Sequence, residues 1–132
     1  MKILIEVIPH ISQRYNTIGD WQWFGDTLRI RVSDMGDWRK EFLVGIHEAI
    51  ETMLCKHDGV TEEQVDAFDF AHPELHEPGD DKSAPYHEQH KTAIMIETLL
   101  MKELKVDETF YLEVMESLQN EREIIERKNQ KE

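Results

Sequence analysis

One long helical pattern constrains the fold of this chain more than any other feature. Apolar residues recur at helical spacing through residues 37–58, with Asp37 suited to cap the helix and Gly59 suited to end it. Within residues 42–55, the charged or histidine side chains are only His47, Glu48 and Glu51. A carboxylate in an apolar setting is costly unless it meets a cation or another partner. The sequence therefore predicts a buried helix that carries a polar site.

The spacing of these three residues is that of a metal-binding helix. His47 and Glu51 are four residues apart, so helical geometry places them on one face, where both can bind one ion. Glu48 points about 100° away from His47 and is a candidate general base acting on a metal-bound water. The alternative is that these groups only form hydrogen bonds or face water.

A third metal ligand is expected from a segment that folds back onto this helix. His87 and His90 lie three residues apart near the start of a later helix, and we prefer His87. Asp66 and Asp69 interrupt the apolar residues of a short helix, and of these two we prefer Asp66. Each candidate has the alternative of an ordinary exposed position. Glu97, the only charge in its apolar helical stretch, is a candidate to orient a ligand histidine.

The first quarter of the chain has the patterns of a small sheet. Residues 3–7 alternate as a half-buried strand does, and the runs 21–24 and 27–32 flank the turn Gly25-Asp26. We expect a small antiparallel sheet made of the N-terminal strand and this hairpin. The residues expected on its packed faces are Ile3, Ile5, Val7, Leu28, Ile30 and Val32.

About four helices are expected to pack on that sheet, which gives an α+β fold. After the long helix, Thr61 opens a capping box for a shorter helix, Ser83 begins a third and Asp107 caps a fourth. The 132 residues fit one domain, which we place at residues 1–127, and we expect residues 128–132 to fray.

The charge of the chain disfavours one class of partner and favours another. Its 28 acidic and 15 basic residues give a formal net charge of −13, which repels a phosphate backbone, so we expect no nucleic acid ligand. Nine acidic residues and no Lys or Arg lie between Asp58 and Asp81, a region that favours a cation. We interpret His72 and His76 in its acidic loop as solvated.

The remaining composition points to an intracellular protein. The single cysteine, Cys55, lies in an apolar run and is expected to be a small buried side chain rather than a redox centre. The N-terminal apolar segment is interrupted by Glu6 and is too short for a signal peptide, and no long apolar run follows. We therefore expect a cytoplasmic location and no membrane span.

The order of these elements resembles the core of minimal zincin-like metallopeptidases. In phage and bacterial repressor-associated members, a strand precedes a His-Glu-x-x-His helix, and a following Glu-x-x-Ala-Asn-x-Phe-Ala helix supplies a carboxylate ligand. Here the strand at 26–32 precedes His47-Glu48-x-x-Glu51, and Glu62 to Phe68 resembles the following motif. Over about residues 26–70, the resemblance implies His47 as a ligand, Glu48 as the general base and Glu51 in the second ligand position. The small, acidic chain also resembles phage-encoded accessory proteins.

Three functions are left open by the sequence. The first is a metal-stabilised binding module without turnover, because Glu51 replaces a histidine and its charge weakens Lewis acidity. The second is a metal-dependent hydrolase of peptidase type with Glu48 as the base. The third is a metal-free acidic interaction domain with a protein or peptide partner. The expected metal is Zn²⁺, and a mixed shell of imidazole and carboxylate also admits Fe²⁺ or Mn²⁺; the oligomeric state is left open.

Overall fold

The fold combines a three-stranded sheet with four helices, the first of which packs on the sheet. The computed structural model describes residues 1–131. Its strands are β1 (Lys2–Ile8), β2 (Gly19–Phe24) and β3 (Thr27–Ser33). Its helices are α1 (Trp38–Asp58), α2 (Glu62–Ala71), α3 (His87–Glu103) and α4 (Glu108–Gln130). The predicted α+β class, with a small sheet packed on helices, is confirmed.

The sheet is mixed, which differs from the antiparallel sheet that we predicted. β2 and β3 form the expected hairpin, in which Phe24 pairs with Thr27 and Gly25 has a φ of 61°. β1, however, pairs with β3 in parallel, and the strand order is β1-β3-β2. The chain reverses once before β2 and again before β3, so β3 runs in the same direction as β1. Because β3 lies between β1 and β2, it pairs with β1 in parallel and with β2 antiparallel.

The inner face of β3 forms the centre of the core. Leu28, Ile30 and Val32 are fully buried, as the alternation predicted, and α1 packs on β3 and β2. On the neighbouring edge strand, Ile3 and Ile5 keep 45% and 40% of their surface exposed. The half-buried strand predicted at β1 is therefore more open than its pattern indicated, because α1 packs mainly on β3 and β2.

Local capping signals determine where the first two helices begin and end. The side chain of Asp37 accepts a hydrogen bond from the Arg39 N–H at the start of α1, and Gly59 ends this helix with a φ of 76°. Thr61 and Gln64 form the predicted capping box of α2. Cys55 is buried in the core, as expected.

The last two helices differ in part from the sequence prediction. α3 begins at His87 and not at Ser83, because the Ser83 N–H and hydroxyl donate to Asp81 and hold residues 83–86 in a turn. Asp107 caps α4 as predicted, by accepting from the Phe110 N–H. α4 is helical to Gln130, so the segment expected to fray is helical at 128–130, and residue 132 lies outside the described residues.

The sequence predicts no membrane-spanning helix. Among the four helices of residues 1–131, none combines the length and the apolar character that crossing a bilayer requires.

Candidate metal centre

Two neighbouring helices bring three donor side chains together. α1 carries His47 and Glu51 one turn apart on the face that packs against α3, and α3 carries His90 one turn after its first residue. Their exposed fractions are 7%, 4% and 3%, so all three are removed from bulk water. The cluster is therefore an interior feature that the packing of the two helices creates.

The donor atoms form a small triangle. His47 Nε2 lies 3.1 Å from an oxygen of Glu51 and 3.1 Å from His90 Nδ1, and that nitrogen lies 2.8 Å from the same Glu51 oxygen. One ion at about 2.0–2.2 Å can touch all three atoms at once. His47, Glu51 and His90 can thus hold a metal ion.

The outer nitrogen of each histidine is bound to a carboxylate. His47 Nδ1–H donates to Glu97 at 2.7 Å, and His90 Nε2–H donates to Asp80 at 3.0 Å. Tyr111 donates its hydroxyl to the other oxygen of Glu97 at 2.6 Å, which fixes that carboxylate in turn. Because a carboxylate only accepts, these bonds assign the outer nitrogens as protonated. Glu97 therefore holds the imidazole of His47, a candidate ligand, in one orientation.

The inner atoms consequently need a positive charge between them. With their outer nitrogens protonated, neutral His47 and His90 turn lone pairs toward each other and toward the carboxylate of Glu51. Three hydrogen-bond acceptors that meet with no N–H or O–H group between them repel one another in a buried site. A proton on an imidazole or a metal cation removes that repulsion.

The pKa values of His47 and Glu51 are both shifted in the direction that favours the charged form of the group. Burial lowers the pKa of His47, but hydrogen bonding with Glu51 and Glu97 outweighs it and raises the value to about 11. Burial raises the pKa of the Glu51 carboxyl, yet His47 and His90 hold it below its ordinary value. The cluster thus favours a carboxylate with positive charge beside it.

The triangle faces a cavity of about 280 Å³. Nine of its lining residues are Asp or Glu, and none of its lining residues within 1–131 is Lys or Arg. Glu48 lies on this wall, half-buried, and within residues 1–131 its carboxylate has no hydrogen-bond partner. Burial and the nearby charge of Glu51 raise the pKa of the Glu48 carboxyl well above its ordinary value. The wall of the cavity therefore carries a carboxyl group of raised proton affinity as well as the three metal-binding side chains.

Another buried carboxylate, that of Asp69, lines the same cavity. Asp69 accepts hydrogen bonds from Tyr86 at 2.5 Å and from Tyr15 at 2.7 Å. Burial raises its pKa to about 6, against the lowering effect of the two hydroxyls. Asp69 is thus held in place by two tyrosines and does not join the donor triangle.

The turn that covers His90 depends on a glycine. The short helical turn Pro78–Asp80 passes directly over the imidazole, and a Cβ on Gly79 would lie 2.5 Å from His90 Cγ. This approach places Asp80 beside the outer nitrogen of His90. The absence of a side chain at Gly79 is therefore a requirement for the second carboxylate–histidine pair.

The structure does not bring every predicted ligand to the site. His87 was preferred to His90, but its Nδ1–H donates to the Gly79 carbonyl, while His90, three residues later, faces α1. Asp66 is paired with Arg14 at 3.1 Å and remains outside the donor triangle. His72 and His76 contact Glu74 and Glu123, apart from the donor triangle.

Two supporting residues of the site escaped the sequence analysis. Asp80 stands among many acidic residues of a loop, and its neighbour Gly79 was the only signal of a close approach. For Tyr111, a helical pattern of apolar residues does not reveal where the tyrosine hydroxyl points. Both contacts depend on tertiary packing.

Comparisons of the chain with protein-family models, with curated proteins and with solved structures found no match. The zincin-like resemblance remains a prediction. The donor set described above rests on its own geometry, which is two imidazoles and one carboxylate with a carboxylate behind each imidazole.

Proposed function

We propose that this protein binds one divalent cation, Zn²⁺ in the first instance, through His47, Glu51 and His90. The observation that carries the proposal is the convergence of three buried donor atoms within 3.1 Å of one another. The carboxylates behind the two imidazoles add support, because metal-binding histidines almost always donate their other N–H to such a group.

The donor set bears on the identity of the metal. Two imidazole nitrogens and one carboxylate oxygen form a ligand set used by catalytic zinc sites. The same set also suits Fe²⁺, and the oxygen ligand extends the range to Mn²⁺. The single cysteine of the chain, Cys55, is outside the donor set. The choice of metal therefore does not depend on a thiolate ligand.

The site has the character of an open centre. Structural zinc sites are closed by four protein ligands, whereas catalytic sites have three and leave a position to water or substrate. Here three protein ligands lie at the wall of a cavity of about 280 Å³. An open position directed at that cavity favours exchange of small ligands at the cation.

Replacing His47 tests the metal site directly. Protein stripped with a chelator, reloaded with Zn²⁺ and passed through a desalting column is expected to retain about one zinc per chain by elemental analysis. The His47→Ala variant is expected to retain far less, since it lacks one of three ligands. The matched control is His57→Ala, on the same helix, whose side chain is 85% exposed.

Zinc retention equal to the parent in His47→Ala, or substoichiometric zinc in the parent, contradicts the proposal.

Chelation offers a second measurement on the unmodified chain. Because a cation bound only to the folded state stabilises it, removing zinc should lower the melting temperature of the parent and leave that of His47→Ala unchanged.

Glu97 provides a test of the support behind the ligand. Glu97→Gln keeps an acceptor for His47 Nδ1–H but removes its charge, and we expect the zinc Kd to rise about 10- to 100-fold. Glu103→Gln, an exposed change on the same helix, should leave the Kd unchanged. A competition titration with a zinc-binding dye measures both. Equal affinity in the two variants would show that Glu97 does not position the ligand.

A second candidate function is metal-dependent hydrolysis with Glu48 as the general base. The observation in its favour is that the Glu48 carboxylate lies on the cavity wall beside the donors without a hydrogen-bond partner in residues 1–131. A divalent cation at such a site supplies Lewis acidity to a carbonyl oxygen and lowers the pKa of bound water. Glu48 would accept the proton of that water, and Glu97 would keep His47 in the tautomer that binds the cation.

The Glu48→Gln variant distinguishes the two functions. With a mixed-sequence fluorogenic peptide library as the probe, the zinc-loaded parent should cleave and Glu48→Gln should lose at least about 100-fold in rate, while both bind one zinc. A zinc-loaded parent that cleaves no library member, or a variant as active as the parent, overturns hydrolysis of peptides by Glu48. Either result leaves metal binding in place.

A further inference from the structure

The outer edge of β1 carries unpaired backbone groups. β1 is one of the two edge strands of the sheet, and within residues 1–131 no strand pairs with its outer side. The Lys2 N–H donates to the Asp26 carbonyl and the Ile8 carbonyl accepts from Asp34, so the even-numbered residues turn their backbone groups toward β3. By alternation, the N–H and C=O groups at 3, 5 and 7 point away from the sheet.

An exposed apolar surface flanks this edge. Ile3, Ile5 and Val7 keep 45%, 40% and 49% of their surface exposed. A Cβ on Gly45 would lie 3.0 Å from Ile5, so that face of α1 borders the strand. Trp38 and Phe42, on the same helix face, are 68% and 42% exposed. We call these five side chains, Ile3, Ile5, Val7, Trp38 and Phe42, the β1 patch.

The sequence of β1 is self-complementary about Leu4. Its central residues read Lys2-Ile3-Leu4-Ile5-Glu6, which have opposite charges at the two ends and apolar residues between them. An antiparallel partner strand centred on Leu4 would set Lys2 against Glu6 of the partner subunit, and the reverse. The same register sets Ile3 against Ile5 of the partner subunit, where the outward backbone groups of both strands face each other.

Other two-fold registers are less complementary. Centring on Ile5 sets Leu4 against Glu6 of the partner subunit, so that Lys2 and Glu6 do not meet across the two strands, and centring on Glu6 brings two like charges together. Centring between residues sets outward backbone groups against inward ones and forms no ladder. Charge and hydrogen bonding therefore select one register.

We propose that the β1 edge is a homodimer interface, in which two copies pair antiparallel about Leu4 and form one six-stranded sheet. The pairing forms about four backbone hydrogen bonds at residues 3 and 5 of the two copies. It also joins the two β1 patches on one face of the sheet, which removes exposed apolar surface from water. The cavity of the metal centre is lined by no residue of β1, so the interface leaves it open.

Reversing the charges tests the interface and its register together. Lys2→Glu and Glu6→Lys each place like charges opposite each other in a homodimer, and we expect each dimer Kd to rise about tenfold. Glu6→Lys also removes the ion pair of Glu6 with Arg29 in its own chain, whereas Lys2→Glu leaves that pair in place. In an equimolar mixture of the two variants, every opposed pair again has opposite charges. The mixture is therefore expected to dimerise about as tightly as the parent.

Sedimentation equilibrium over a range of concentrations measures each Kd, and circular dichroism checks the fold of each variant. Lys102→Glu, which makes the same charge change at an exposed site on α3, should not alter the parent Kd. A parent that stays monomeric at about 100 μM overturns the proposal. So does a mixture of the variants that associates no better than each variant alone.

Discussion

Two imidazole nitrogens and a carboxylate oxygen meet in the interior of this protein, and their mutual repulsion must be offset by a cation or a proton. His47 and His90 cannot relieve it by turning, because Glu97 and Asp80 hold their outer nitrogens. Each part of the arrangement thus depends on the others: the rear carboxylates fix the rings, the rings direct their lone pairs inward, and the inner atoms bind positive charge.

The fold is organised to build this cluster from rigid elements. α1 begins at a firm cap and places His47 and Glu51 one turn apart, while its packing on α3 brings His90 against them. The sheet buries the other side of α1 through the fully buried side chains of β3. Helix-borne ligands are positioned more precisely than loop-borne ones. Only Asp80 comes from a short turn, and that turn is fitted closely over the imidazole by Gly79.

Sequence reasoning succeeded where local geometry decides the outcome. The relation between His47 and Glu51 follows from helical spacing, and the caps at Asp37 and Thr61 follow from side chains that bind nearby N–H groups. Glu97 was recognisable because an isolated charge in an apolar stretch needs a partner.

It failed where the outcome depends on distant packing. The choice between His87 and His90 depends on tertiary packing, because the His90 imidazole faces α1 whereas the His87 imidazole binds the Gly79 carbonyl. The parallel pairing of β1 was hidden because alternation reveals the face of a strand but not its neighbours. These differences affect which residues support the site and leave the helix motif itself in place.

The cation position is best tested by anomalous X-ray scattering at the zinc edge, from crystals of zinc-loaded protein. We expect one strong peak per chain, about 2.0–2.2 Å from His47 Nε2, from His90 Nδ1 and from a carboxylate oxygen of Glu51. Zinc bound only elsewhere, for example at the acidic loop that holds His72 and His76, would contradict it.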